Sequence, residues 1–151
     1  MARKRVRVLK RLSPEIPALL LDADKIGQAI GNALANALEG VSSGGCIKVE
    51  TRVEREHVVI ELAHDGPPLD GDLLEHLFVP FSTGGRSGPG LGLAVAQRIV
   101  RDHGGEIGVR READWGQVLS LHLPVPGNED RRQGRERRRR GEDRRNRMAA
   151  V

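Results

Sequence analysis

The run from Phe78 to Leu93, FVPFSTGGRSGPGLGL, constrains this chain more than any other segment. An aromatic-proline anchor leads into small residues, and glycines at 84, 85, 88, 90 and 92 end in an apolar helical pattern. Glycine lets backbone amides come close to a ligand, and a helix N-terminus favours negative charge. The segment reads as a lid over a phosphate group or as a flexible surface loop ahead of an ordinary helix start. Glycine spacing alone does not separate the two.

The rest of the chain narrows the choice. Its 151 residues fit one domain with a real core. Phe78, Phe81 and Trp115 are the whole aromatic complement, so that core must be aliphatic and alanine-rich. The net charge of +4 hides an asymmetry. Residues 1–11 carry six Lys/Arg and no acid, and residues 127–151 carry ten Arg against five acids, which leaves nine bases and sixteen acids between. The basic character belongs to the ends, so no specific nucleic-acid surface is expected. Cys46 is the only cysteine, which excludes an internal disulfide and fits a reducing, cytoplasmic compartment. No apolar run approaches the roughly 20 residues of a membrane span. The basic N-terminus lacks the apolar stretch of a signal peptide.

Alternation of Val6 and Val8 with basic residues predicts a strand at about 4–10. Asp22 or Asp24 can cap a helix running to about Val41, with Ile26, Ile30, Ala33, Leu34, Ala37, Leu38 and Val41 at helical spacing. Gln28, Asn32 and Asn36 fall at i, i+4 and i+8 and line another face. Strands follow at Cys46–Val53 and His57–Ala63, then a loop at 64–69, a short helix near Leu73–Leu77, a long helix over Leu91–His103, and a closing hairpin of Ile107–Arg111 with Val118–Leu123. This order predicts an α+β two-layer sandwich: a mixed, mostly antiparallel sheet with the helices on one face. The domain is expected over 12–126, preceded by a basic segment with the first strand at 1–11. The arginine-rich stretch 127–151 has almost no apolar residue and is expected to be a disordered tail, solubilising or able to touch acidic partners.

Two Asn one turn apart present two amide oxygens side by side. Mg²⁺ takes oxygen ligands, so one amide oxygen plus nucleotide phosphates makes a reasonable shell. A solvated polar helix face is the plainer reading of the same pair. The neighbours Gly27, Gly31 and Ala35 favour a groove instead.

In order and spacing these motifs resemble the ATP-binding catalytic domain of sensor histidine kinases, within the gyrase, heat-shock-ninety, histidine-kinase and mismatch-repair ATPases, whose fold is of the Bergerat type. Gln28–Glu39 resembles the N box, Leu77–Phe81 the F box, and Gly88–Leu93 with the following helix and His103-Gly104-Gly105 the second glycine box. Gly116–Pro124 resembles the closing strand, and Glu39 with Ser82-Thr83-Gly84 resembles the nitrogen-regulation branch. The resemblance covers about residues 5–125. It implies ATP and Mg²⁺ as cofactors, with Asn32 and Asn36 at the catalytic positions and Asn36 as the metal ligand. It implies a nucleotide site of Asn32, Asn36, His64, Asp65, Gly66, Phe81, Arg86, Gly88, Gly90, Leu91, Gly92, Leu93 and Gln117. The partners implied are a dimerisation domain carrying the phosphoacceptor histidine and a response regulator.

Departures from the family pattern gather at the adenine end. His64 stands where the family's first glycine box has the Asp that accepts the adenine amino group, Pro68 replaces that box's second Gly, and Gln117 replaces a common Thr. Imidazole accepts one hydrogen bond but lacks a carboxylate's charge and reach. Weak ATP binding, altered base preference and lost activity all fit. No helical hairpin with a phosphoacceptor His is read within these 151 residues, so the chain is expected to act on a histidine of another domain. The function expected is transfer of the ATP γ-phosphate to that histidine. The alternatives are a degenerate protein-binding module and a stand-alone anti-sigma-type serine kinase, a group that usually carries Glu where Asn32 stands.

Overall fold

The computed structural model describes residues 3–81 and 91–126. Apolar spacing from Ile26 onward produces α1 at Ala23–Gly40. Asp22 caps it, with Oδ1 accepting from the Lys25 amide at 3.2 Å. The last turn of α1 has no basic residue of its own. Lys4, near the N-terminus of the chain, supplies the cation: its Nζ donates to the carbonyls of Leu38, Glu39 and Val41 at 3.0, 3.3 and 2.9 Å. Those orphan carbonyls carry the negative end of the helix dipole.

Five strands form one sheet: β1 Arg7–Leu12, β2 Cys46–Glu54, β3 His57–His64, β4 Glu106–Arg110 and β5 Gln117–Pro124. Their order is β1-β2-β3-β5-β4. β1 runs parallel to β2, and every other pair is antiparallel. The first strand sits a few residues later than its alternation suggested, and all six of its residues are exposed. It is one of the two edge strands, and its Arg and Lys side chains suit an edge that must not recruit another strand.

The two remaining helices are α2 at Gly71–Glu75, capped by Asp70, and α3 at Gly92–Asp102. Gly104, at φ 76°, ends α3, and the Gly105 amide closes back on the Val100 carbonyl at 2.9 Å. His103 joins the two long helices. Its Nε2 accepts from the Asp22 amide at 3.1 Å while Nδ1 meets the Ile99 carbonyl at 2.7 Å.

Cross-strand register puts Val49, Leu62, Leu119 and Val109 side by side, with Ile60, Leu121 and Ile107 in the next row. Ile26, Ala29 and Ala33 of α1 and Leu93, Ala96, Ile99 and Val100 of α3 pack on this same face. Small side chains let the helices come close, which is how a core without a buried aromatic fills. The α+β sandwich with helices on one face is therefore observed. Among the described residues no helix is long and apolar enough to cross a membrane. The arginine-rich stretch 127–151 lies outside the described residues.

Candidate functional site

The polar face of α1 grows more buried toward its C-terminus. Gln28 is exposed, Asn32 is half-buried and Asn36 is buried. Asn32 Nδ2 donates to the Gly92 carbonyl at 2.9 Å. That bond fastens α1 to the first residue of α3, where the glycine run becomes helix.

Asn36 reaches the opposite way, into the sheet. Its Oδ1 accepts from Gln117 Nε2 at 2.6 Å, with both ends buried. Gln117 opens β5 directly across from His64, the last residue of β3. His64 is 1% exposed, and its Nδ1 accepts from the Gly66 amide at 3.1 Å. The imidazole lies against Gly40, where an added Cβ would come within 2.7 Å of the ring. A Cβ on Gly66 would strike the Gly40 carbonyl, and one on Gly116 would strike the Gly66 carbonyl. Three glycines, from the end of α1, the loop after β3 and the turn before β5, thus bring three backbones into contact. Only hydrogen in place of a side chain permits this. Gly40 is expected from the sequence as a helix stop and Gly116 as a turn that opens the closing strand; their close approach to His64 and Gly66 is not.

Asp65 points elsewhere. Its Oδ1 accepts from the Cys46 amide at 2.8 Å, bracing the start of β2. Of the adjacent pair, His64 faces α1 and Asp65 does not. The Leu93 side chain belongs to the core. Leu91 precedes α3 at its N-cap, and Phe81 stands 73% exposed with φ 64°. Arg86, Gly88 and Gly90 lie outside the described residues.

The resemblance makes Asn36 the metal ligand, and here its side-chain oxygen lies in the bond to Gln117. That bond takes one of the two lone pairs of the Asn36 oxygen. Among the described residues there is no group of three His, Cys, Asp or Glu able to hold a metal ion.

A second polar cluster lies on the opposite face of the sheet and was not anticipated. Glu61 of β3 is 3% exposed. Its Oε1 meets Arg52 Nη2 and Arg110 Nη1, each at 3.0 Å, and accepts from Ser120 Oγ at 3.3 Å. Burial pushes this carboxyl up, but the two guanidiniums overcome it and hold it at about 2. The sequence signal was a lone carboxylate inside the apolar strand HVVIELAH.

Residues 21–127 match the family model of histidine kinase-, DNA gyrase B-, and HSP90-like ATPases. Sporulation kinase E of Bacillus subtilis strain 168 is 36% identical over 123 residues, covering 81% of this chain and 17% of that protein. The sensory histidine kinase/phosphatase NtrB of Rhodobacter capsulatus is 31% identical over 135 residues, covering 81% of this chain and 38% of its own. This chain thus spans well under half the length of these curated relatives. The solved catalytic domain of histidine kinase ThkA superimposes with a TM-score of 0.71 at 28% identity, covering 79% of this chain and 78% of that one. The same kinase is also solved in complex with response regulator protein TrrA, at 25% identity and a TM-score of 0.67, covering 80% of this chain and 34% of that one. With its fold, motif order and sequence all agreeing, this chain belongs to the histidine kinase-, DNA gyrase B- and HSP90-like ATPase family, as an ATP-binding catalytic domain of the sensor histidine kinase type.

Proposed function

We propose that the chain works as the catalytic module of a two-component system, binding ATP beside α1 and delivering its γ-phosphate to a histidine on a separate dimerisation domain. A response regulator then receives the phosphoryl group, and the module acts in the cytoplasm. The observation that carries this reading is the Asn32–Gly92 hydrogen bond, which sets the polar face of α1 against the N-terminus of α3. A helix N-terminus with free amides suits phosphate. In the transfer a histidine nitrogen attacks Pγ, the bond from Pγ to the β–γ bridging oxygen breaks, and ADP leaves. The protein's part is positioning and neutralisation of charge. Asn32, Leu91 and Gly92 are the described residues assigned to the phosphate side, and His64, Gly66 and Gln117 those assigned to the base side. Mg²⁺ at Asn36 belongs to the proposal only if Gln117 releases the Asn36 oxygen. Once bound, the ion would neutralise phosphate charge.

The buried His64 and the Asn36–Gln117 bond favour a second reading, in which the base end is too altered to hold a nucleotide and the module acts by protein binding. Calorimetric titration of the full chain with a non-hydrolysable ATP analogue separates the two. Micromolar binding is expected, together with acid-labile labelling of a purified dimerisation domain by γ-labelled ATP. Absence of binding in the parent with its recovery in His64→Asp would establish the protein-binding reading. Acid-stable labelling would point to a serine acceptor instead.

A further inference from the structure

We propose that Gln117 is a latch on Asn36, a positioning residue that withholds the Asn36 oxygen from Mg²⁺ and makes nucleotide binding by this chain largely independent of the metal. The inference rests on the nucleotide-binding reading above and concerns how that site is regulated. At 2.6 Å the Gln117–Asn36 contact is shorter than the usual N–H···O range, and Asn36 and Gln117 are 9% and 1% exposed. Water therefore does not compete for it, and a buried bond of this kind is electrostatically stronger than one in solvent. An Asn side chain has one acceptor oxygen with two lone pairs, and Gln117 holds one of them inside a buried pair. A cation at that oxygen would stand beside the Gln117 amide hydrogens, whose partial positive charge opposes it.

The far end of the same side chain shows how the latch opens. Gln117 Oε1 is buried and has no hydrogen-bond partner among the described residues. Leaving such an acceptor unmet is unfavourable, so the closed position is held by one good bond against one missing bond. A rotation that carries the Gln117 amide away from α1 frees Asn36, and a ligand donor that meets Oε1 only in the rotated position favours that state. Gln117 thereby couples the base side of the site to the metal side. The strand register fixes its position, because Gln117 pairs with His64 and cannot slide along β3 without moving every residue of β5.

The test compares the full 151-residue chain with Gln117→Leu and Gln117→Thr, the second held in reserve in case the larger apolar side chain disturbs the fold, with thermal unfolding as the check. Each protein is titrated with a non-hydrolysable ATP analogue, once with Mg²⁺ and once with EDTA. The parent is expected to bind almost equally in both, whereas the variants gain about tenfold in affinity from Mg²⁺, the worth of one buried hydrogen bond. That gain disappears when Asn36→Ala is added to Gln117→Leu. In the nucleotide-free parent the Gln117 side-chain amide protons exchange with solvent more slowly than in Asn36→Ala. A parent that already gains tenfold from Mg²⁺, or folded variants that gain nothing, overturns the latch and leaves the proposed function standing. No binding by any variant, with or without metal, overturns both.

Discussion

On the outer face of the sheet Glu61 is surrounded, its Oε1 meeting Arg52, Arg110 and Ser120. On the inner face Gln117, equally buried, makes one bond to Asn36 and leaves its carbonyl unmet among the described residues. The two clusters lie in the same strands, β3 and β5, three residues apart along the chain: Glu61 with Ser120 outside, His64 with Gln117 inside. A buried polar cluster that completes itself stabilises a fold and has nothing left for a ligand. One left incomplete contributes little and keeps a group in reserve. The contrast sets the inner cluster apart from the outer one and agrees with the site proposed there.

That contrast can be broken by substitution. The largest effect is expected at Gly116→Ala, whose Cβ would strike the Gly66 carbonyl. With backbone on both sides neither neighbour can yield cheaply, and we expect a loss of about 3 kcal/mol or more, read as a fall of roughly 10 °C in Tm. A variant as stable as the parent would mean that the three glycines are not packed as described.

Glu61→Gln comes next. It leaves two guanidiniums facing a neutral amide, and denaturant unfolding should show a loss of about 2 kcal/mol, a value discounted because Arg52 and Arg110 are each more than a third exposed. Nucleotide affinity should not change; if it does, the outer cluster is not purely structural. The same residue gives a pH signature. The folded value of about 2 lies below the ordinary 4.5, so the stabilisation is complete above pH 4.5 and is lost as pH falls from there toward 2. Unfolding free energy measured across that window should slope in the parent and flatten in Glu61→Gln.

Asn32→Ala should have the smallest effect on stability, about 1 kcal/mol for one half-buried hydrogen bond to Gly92. Its nucleotide affinity should fall by more than that loss of stability implies. Equal affinity in parent and variant would remove Asn32 from the phosphate side.

Much of the fold was legible from residues close together in the chain. Asp22 stands three residues before the amide it caps, the apolar spacing from Ile26 to Ala37 lies within one helix, and the β2–β3 hairpin needs only the two-residue link Arg55-Glu56, with Arg55 at φ 57°. The glycine boxes were readable because each is a short continuous string. What could not be read is what each polar side chain touches. His64 was legible as a departure, but its seat against Gly40 was not. Gln117 was legible as a substitution, but its bond to Asn36 was not.

The sequence by itself determined the order of elements, their caps, the aliphatic core and the family, because periodicity and capping act within a few residues. Tertiary structure decided that Lys4 closes the end of α1, that Arg52 and Arg110 converge on Glu61, and that Gln117 holds Asn36 from 81 residues away. These contacts depend on which strand lies beside which and in what register. That choice is made by the packing of whole faces, so no local stretch of sequence encodes it.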